Sequence, residues 1–318
     1  MRPPDDPDAA HPPDATPATV APARGEAQCH PHGARRVSVD ARPGPLAALR
    51  ADPDGDAGVG GPPTTALLVP GYSGSKEDFA PLIDPIAAAG IGVLAIDLPG
   101  QYESPGPDAE ADYRPSQLGP VLAEIVAGEV ATGRRVLLLG HSFGGLVARA
   151  AVIAGAPVRG LTLMDSGPSE LPMGRRRTAL DVLEPVLRRR GLEAVVELRD
   201  ASGEWSSTDP QVVALLRERL LRSAPAGLLG KGDALRAEPD RTAELVAAAR
   251  ARRIPCLVVC GLDDDAWPVS VQRSMADRLE AEFAAVPDAA HAPNVENPAA
   301  LLDVLLPTWR TWLRDDLG

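Results

Sequence analysis

Residues 136–145 read VLLLGHSFGG, so an apolar run passes directly into a segment with three glycines around Ser142. Where a buried strand turns sharply into a helix, a serine on the turn holds its hydroxyl above the sheet. Flanking glycines then let the strand and helix backbones approach closely. The following LVARAAVIAG would supply the helix. Because G-x-S-x-G also occurs at ordinary tight turns, Ser142 becomes a candidate nucleophile only if the chain supplies its partners.

The pattern around this motif predicts an α/β fold. From Thr64 onward, the apolar runs TALLVPGY, IGVLAIDLPG, RRVLLLGHS and VRGLTLMDSG alternate with helical segments near 79–89, 117–132 and 143–155. Continuous apolar strands separated by helices are typical of βαβ units and of a buried, mostly parallel sheet flanked by helices. Two shorter extended runs flank ARPG at 41–44 and predict a hairpin ahead of this region.

The alternation stops between the sixth and seventh predicted strands. Residues 168–248 contain helix-like segments only, and the strand pattern resumes with IPCLVVCGLDDD and EFAAVPDAAH before a last helix. We therefore predict a core at 35–167 and 249–318, with a helical insertion at 168–248. Residues 1–34 are rich in Pro, Asp and Ala, which predicts a disordered tail because few large apolar groups could offset the ordering entropy.

Composition excludes several classes of partner. A net charge of −12 argues against nucleic acid and against an anionic membrane surface, since both require clustered positive charge. No stretch is suited to a signal peptide or a membrane span. Cys256 and Cys260 lie four residues apart in a predicted strand, about 13 Å along it, which is too far for a disulfide. With Cys29 they form no metal-like spacing, so we expect a reduced, cytoplasmic protein without a metal or cofactor, of unknown oligomeric state.

A serine hydroxyl is a weak nucleophile and needs a base, normally histidine. Five histidines are present. His141 directly precedes Ser142 and should point away from the hydroxyl at so tight a turn. Three more lie in or beside the predicted tail: His11, His30 and His32. By elimination, His291 in PDAAHAPNVENP, just after the last predicted strand, is the candidate base.

The base in turn needs a carboxylate that fixes its tautomer and stabilises the imidazolium. The segment CLVVCGLDDDAWP offers three neighbouring aspartates at the end of a strand: Asp263, Asp264 and Asp265. Ligands and catalytic groups gather at the carboxyl ends of the strands of a parallel sheet, so this turn is well placed. Spacing alone does not choose among the three.

Together these segments resemble the α/β-hydrolase superfamily, in the serine-nucleophile branch with a helical cap. The family order of nucleophile, acid and histidine is matched by Ser142, Asp264 and His291. Its acid commonly lies three residues after a strand-ending glycine and four before a proline, which selects Asp264 between Gly261 and Pro268. Its histidine segment commonly reads H-x-P-x-x-E-x-P, as in HAPNVENP here, and DLPG at 97–100 followed by Ser104 resembles the turn after the fourth strand.

The resemblance also implies an oxyanion hole made by the backbone N–H groups of Tyr72 and Phe143. This chain departs from the family at two positions. The loop after the third strand commonly begins His-Gly, whereas here it reads Pro70-Gly71-Tyr72; a backbone donor should survive that change. Tyr102 stands where the family commonly has glycine, which should alter the mouth of the site but not the triad.

The implied activity is hydrolysis of a small or medium apolar carboxylic ester through an acyl-enzyme, with Tyr72, Phe143 and Trp267 bordering the substrate pocket. Serine at the nucleophile position argues against epoxide hydrolases and haloalkane dehalogenases, which use aspartate there. The same triad serves thioesterases, lactonases and carbon–carbon bond hydrolases. Two arginine clusters, 175–177 and 188–190, are also compatible with an acidic substrate, which is kept as an alternative. A ligand-binding protein of this fold with little turnover is the alternative outside enzymes.

Overall fold

The computed structural model describes residues 27–42, 44–53, 61–203, 205 and 207–314. Most of the predicted tail, and Pro43 in the predicted hairpin turn, lie outside these residues. The strands of the described part form one eight-stranded sheet in the order β1-β2-β4-β3-β5-β6-β7-β8. In chain order they are Arg35–Val39, Leu46–Ala51, Thr64–Val69, Gly92–Ile96, Arg135–His141, Gly160–Met164, Cys256–Gly261 and Glu282–Val286.

The direction of the strands follows from the connections between them. β1 and β2 form the predicted antiparallel hairpin, with Arg35 opposite Arg50 and Val39 opposite Leu46, and β2 also runs antiparallel to β4. From β4 to β8 every neighbouring pair is parallel. The predicted fold class, a mostly parallel sheet flanked by helices, is confirmed.

Ten α-helices lie within the described residues: α1 to α10 are Ala80–Ala88, Pro115–Ala131, Phe143–Ile153, Arg175–Ser202, Pro210–Arg222, Pro225–Ala237, Thr242–Arg252, Val269–Leu279, Pro293–Glu296 and Pro298–Arg314. Successive side chains of a strand point to opposite faces of a sheet. Leu67 and Val69 of β3 accordingly join an apolar cluster with α2, α3, α7 and α8, while Ala66 and Leu68 join a second cluster with α1 and α10. Coverage of both faces explains why the central strands are apolar throughout.

Four helices lie between β6 and β7, where the sequence predicts only helical segments. α4 packs against α5 and α6, and these three helices share a separate apolar cluster that includes Leu187, Val195 and Leu228. α7 packs instead against α3 and α8 of the main cluster. None of the described helices combines the length and apolar composition that a membrane crossing requires.

The chain has two lysines, Lys76 and Lys231, and both are buried with 0% relative exposure. Lys76 Nζ lies 2.9 Å from an Asp97 carboxylate oxygen and forms further ion pairs with Glu77 and Glu103. Lys231 Nζ, on α6, has no hydrogen-bond partner among the described residues. Burial lowers the pKa of Lys231 to about 7, against a smaller opposing effect of Asp97.

We predict that Lys231→Met stabilises the protein at pH 7 and below. The unfolded lysine takes up its proton below pH 10.5, whereas the folded one does so only near 7, so the wild type loses stability as the pH falls through this window. The gain in unfolding free energy should be on the order of 3 to 5 kcal/mol at pH 6 and vanish above pH 10.5.

Urea unfolding at pH 6, 8 and 10 measures this gain, and Lys76→Met is the matched control. Removing Lys76 leaves Asp97 buried without its counter-charge, so that variant should lose roughly 3 kcal/mol or more. A Lys231→Met gain that is absent, or equal at all three pH values, would contradict the prediction.

Candidate active site

Ser142 lies on the sharp turn between β5 and α3. Its backbone is in a strained, positive-φ conformation (φ 54°, ψ −120°), and its N–H donates to the Met164 carbonyl at 2.8 Å. Two glycines make this turn possible. A Cβ at position 140 would lie 2.3 Å from the carbonyl oxygen of Gly144, and a Cβ at position 144 would lie 2.5 Å from that of Val69. Any larger residue would force the strand and helix apart.

Three of the residues singled out in the sequence meet at this turn. The Nε2 atom of His291 lies 2.9 Å from Ser142 Oγ, and its Nδ1 atom lies 2.8 Å from Asp264 Oδ1. All three side chains are largely shielded from solvent: Ser142 and His291 are 7% and 8% exposed, and the Asp264 side chain is 0% exposed. The imidazole thus bridges a hydroxyl and a carboxylate.

Three donors form hydrogen bonds with the carboxylate of Asp264, which lies in the turn after β7. Besides His291, the Ala266 N–H donates to Oδ1 at 2.8 Å and Gln272 Nε2 donates to Oδ2 at 2.6 Å. Its neighbour Asp265 lies outside the site and pairs with Arg176 at the surface. Sequence reasoning did not find Gln272, because nothing near it in the chain indicates that α8 turns it toward the acid.

A second buried carboxyl group lies beside the first. Asp165, which follows β6, is 0% exposed, and its Oδ1 accepts the Gly261 N–H at 2.8 Å. Burial, followed by the negative charge of Asp264, raises the pKa of Asp165 well above its usual range. Asp165 therefore keeps its proton to a higher pH than an ordinary aspartate, while the three donors go to Asp264. Asp165 was not among the predicted site residues.

Ligand atoms of Asp165, Asp264 and His291 lie within 4.8 Å of one another, a spacing that a metal ion could also use. His291 Nδ1 and Asp264 Oδ1, however, are already hydrogen-bonded to each other at 2.8 Å. The arrangement fits a hydrogen-bonded acid and base better than a metal centre.

His141 points away from the Ser142 hydroxyl. Its Nε2 donates to the His291 carbonyl oxygen at 2.7 Å, and the two rings are tilted with centroids 5.2 Å apart. Burial, followed by the neighbouring His291, lowers the pKa of His141 to about 4. A neutral His141 supports the backbone of His291 without adding charge.

The backbone N–H groups of Tyr72 and Phe143 donate to no acceptor among the described residues. Phe143 N–H begins α3 directly after Ser142, and Gly71 is close enough that a Cβ there would lie 3.2 Å from Ser142 Cβ. Phe143 thus directly follows the serine and Gly71, the residue before Tyr72, packs beside it; the oxyanion hole itself stays a prediction.

The three residues expected at the substrate pocket lie in different places. Tyr72 borders a cavity among α4, α5 and α6, and its hydroxyl donates to the Leu228 carbonyl at 3.0 Å. Phe143 is fully buried in the main apolar cluster. Trp267 is buried as well; it donates from Nε1 to the Glu170 carbonyl, and its ring centroid lies 6.2 Å from that of His291. Of the three, only Tyr72 lines the cavity.

Tyr102, where the family commonly has glycine, adopts φ 40°. Such a conformation is easy for glycine and costly for tyrosine. Its side chain makes compensating contacts: the ring lies 4.7 Å from Lys76 Nζ and 4.8 Å from the Arg222 guanidinium. The departure from the family therefore leaves the turn intact.

A parallel sheet that carries a strained serine turn, with a histidine and a buried carboxylate at the carboxyl ends of its strands, defines the class of α/β-hydrolase-fold proteins. A model of the alpha/beta hydrolase family matches residues 66–304, three quarters of the chain. The protein belongs to the alpha/beta hydrolase family.

Solved structures extend this likeness of fold. An esterase from Thermogutta terrifontis is 23% identical with a TM-score of 0.64, over 88% of this chain and 98% of that one. An esterase from a Rhodococcus species is 22% identical with a TM-score of 0.62, over 89% and 99% of the two chains. A mutant of the N-acyl homoserine lactonase AidH, complexed with N-hexanoyl homoserine lactone, is 19% identical with a TM-score of 0.65, over 87% of this chain and 98% of that one. No curated protein sequence matches the chain.

We predict that Asp165→Asn stabilises the protein increasingly as the pH rises from 5 to 8. The unfolded aspartate ionises near pH 4, while the folded Asp165 retains its proton to a higher pH, so the wild type loses stability with rising pH until that group titrates. Asparagine is neutral throughout. Urea unfolding of both proteins at pH 5 and 8 measures the difference; a gain that is the same at the two pH values would contradict a neutral Asp165.

Proposed function

We propose that the protein is a serine hydrolase that cleaves carboxylic esters through an acyl-enzyme, with Ser142, His291 and Asp264 as its triad. The observation that carries this proposal is the continuous hydrogen-bond path from Ser142 Oγ through His291 to Asp264. His291 accepts the serine proton as Oγ attacks the ester carbonyl, and Asp264 stabilises the imidazolium that forms.

The remaining steps follow from the same groups. The N–H groups of Tyr72 and Phe143 stabilise the oxyanion of the tetrahedral intermediate, an effect worth about 3 to 4 kcal/mol for one donor in a measured enzyme. His291 passes its proton to the leaving alcohol as the intermediate collapses to the acyl-enzyme. It next deprotonates a water molecule, which attacks the acyl carbonyl, and returns that proton to Ser142 as the acid leaves.

The cavity beside Tyr72 supports an apolar substrate. Leucine and valine dominate its lining: Leu180, Leu183, Leu187, Val195, Leu220, Leu228 and Leu229. Its volume of about 30 Å³ admits roughly two water molecules, so an acyl or alkyl group enters only as these side chains move. We propose that 168–248 acts as the cap, with α4, α5 and α6 forming this part of the pocket. Phe143 and Trp267 would support it from the core.

The arginine clusters favour this apolar substrate over an acidic one. Arg188 pairs with Glu110 and Glu184, and Arg176 pairs with Asp265, so their charges are compensated at the surface. A cytoplasmic location is part of the proposal, and it agrees with three cysteines that form no disulfide. Because the lactonase AidH shares this fold, a cyclic ester is a second candidate substrate.

We expect the wild type to react with a fluorophosphonate probe and to hydrolyse p-nitrophenyl esters, and Ser142→Ala to do neither, because alanine has no hydroxyl to form the covalent bond. A panel from acetate to octanoate, with N-hexanoyl homoserine lactone added, would define the ester class. The control is Ser166→Ala, which removes a buried hydroxyl near the turn and should retain labelling. A folded wild type that neither labels nor turns over any ester would contradict the proposal and favour a binding protein.

We predict that Leu183→Ala shifts the preference of the enzyme toward longer acyl chains. Removing side-chain volume from the lining of the cavity should raise kcat/KM for octanoate relative to acetate by about 10-fold, the value of one or two buried methylene groups. Leu302→Ala on α10, beneath the opposite face of the sheet, is the matched control and should leave the ratio unchanged. An unchanged ratio in Leu183→Ala would exclude the cavity as the acyl pocket.

A further inference from the structure

Gln101 is a buried polar residue in the turn after β4, with 1% of its surface exposed. All of its amide hydrogen-bonding atoms are used within the chain. Its Oε1 accepts the Leu98 N–H at 2.9 Å, and its Nε2 donates to the carbonyl oxygens of Gly71 at 2.6 Å and of Tyr72 at 3.2 Å. One side chain thus joins the loop after β4 to the two carbonyls that flank the Tyr72 backbone.

The contact with the Gly71 carbonyl bears on the Tyr72 N–H, because both belong to the same peptide unit. In a trans peptide the C=O and N–H bonds point in opposite directions, and the unit is planar. Holding the Gly71 oxygen toward Gln101 therefore aims the Tyr72 N–H away from Gln101. That N–H has no acceptor among the described residues, and Gly71 packs beside Ser142.

The loop that carries Gln101 is itself held firmly. Ser104 Oγ donates to the Asp97 carbonyl and accepts the Ala47 N–H, while the Asp97 carboxylate accepts from both the backbone N–H and Nζ of Lys76. A side chain fixed on such a loop can hold its partner within the narrow tolerance that transition-state donors require.

We propose that Gln101 is a positioning residue for the oxyanion hole: its amide fixes the peptide between Gly71 and Tyr72 so that the Tyr72 N–H donates to the oxyanion. This inference rests on the proposed function, because it assumes that the oxyanion forms at Ser142. Gln101 acts through the peptide unit and touches neither substrate nor nucleophile. Its loss should therefore weaken binding of the transition state while leaving binding of the ester nearly unchanged.

The test compares Gln101→Met with the wild type on a p-nitrophenyl ester. Methionine has a similar shape but cannot donate to the two carbonyls. We expect kcat to fall by about 10- to 100-fold while KM stays within about twofold. A misplaced donor should reduce kcat by no more than the loss of that donor would. Phenylboronic acid, which adds to the serine as a tetrahedral anion, should bind more weakly by a similar factor. The pH at which activity declines on the acid side should not move.

Thr162→Val is the matched control, because it also removes a buried hydrogen bond, the one that Trp309 Nε1 donates to Thr162 Oγ1 at 3.0 Å. This variant should leave kcat unchanged. Gln101→Asn, shorter by one methylene group, gives the same comparison if the methionine variant does not fold. An active wild type with equal kcat and boronate affinity in the folded Gln101 variant would overturn this inference alone. A loss confined to KM would overturn it as well. If the wild type does not hydrolyse the ester, the result would instead contradict the proposed function.

Discussion

The close approach of β5, α3 and the loop after β3 is the constraint on which the site depends. It requires glycine at positions 140 and 144, because a Cβ at either position would lie within about 2.5 Å of a neighbouring carbonyl oxygen. That approach holds Ser142 at a positive φ and brings Gly71 against its side chain. The strain at this residue, on the order of 1 to 3 kcal/mol, is balanced by the packing of fully buried strands on both sides.

Around this turn, the parallel sheet assembles groups that are far apart in the chain. The acid follows β7, the histidine follows β8 and the second carboxyl group follows β6, so each reaches the same edge of the sheet. Polar groups then support these site residues: His141 holds the backbone of His291, Gln272 holds Asp264, and Gln101 holds the loop that carries Tyr72.

Much of the fold could be predicted because it depends on local patterns. Apolar runs bounded by glycine or proline predicted the strands, and the hairpin at β1 and β2 followed from two short runs around a turn sequence. The helix α6 has a weak local signal, because Gly227, Gly230 and Gly232 lower helix propensity. Those glycines have a tertiary role: a Cβ at position 230 would lie 2.0 Å from the carbonyl oxygen of Glu110. Pro185 does not end α4, which continues through it and becomes non-helical at Gly191.

The site residues likewise fall into those that local sequence patterns predict and those that they do not. Ser142, His291 and Asp264 carry motifs in a fixed chain order, so they could be singled out from sequence, and the structure brings them within hydrogen-bond distance. Gln101, Gln272 and Asp165 have no local signal, because their roles depend on contacts between segments distant in the chain. The extent of the insertion remains a prediction, although α7 packs mainly against the core helices α3 and α8.

The central claim is that Ser142 forms a covalent acyl intermediate. The most direct measurement is to quench a reaction with p-nitrophenyl acetate in acid within its first turnover and to locate the acetyl group by peptide mass spectrometry. The account predicts one acetyl group per chain, on the peptide that contains Ser142. Release of p-nitrophenol with no acetyl group on Ser142, or with a stable acetyl group on another residue, would contradict it.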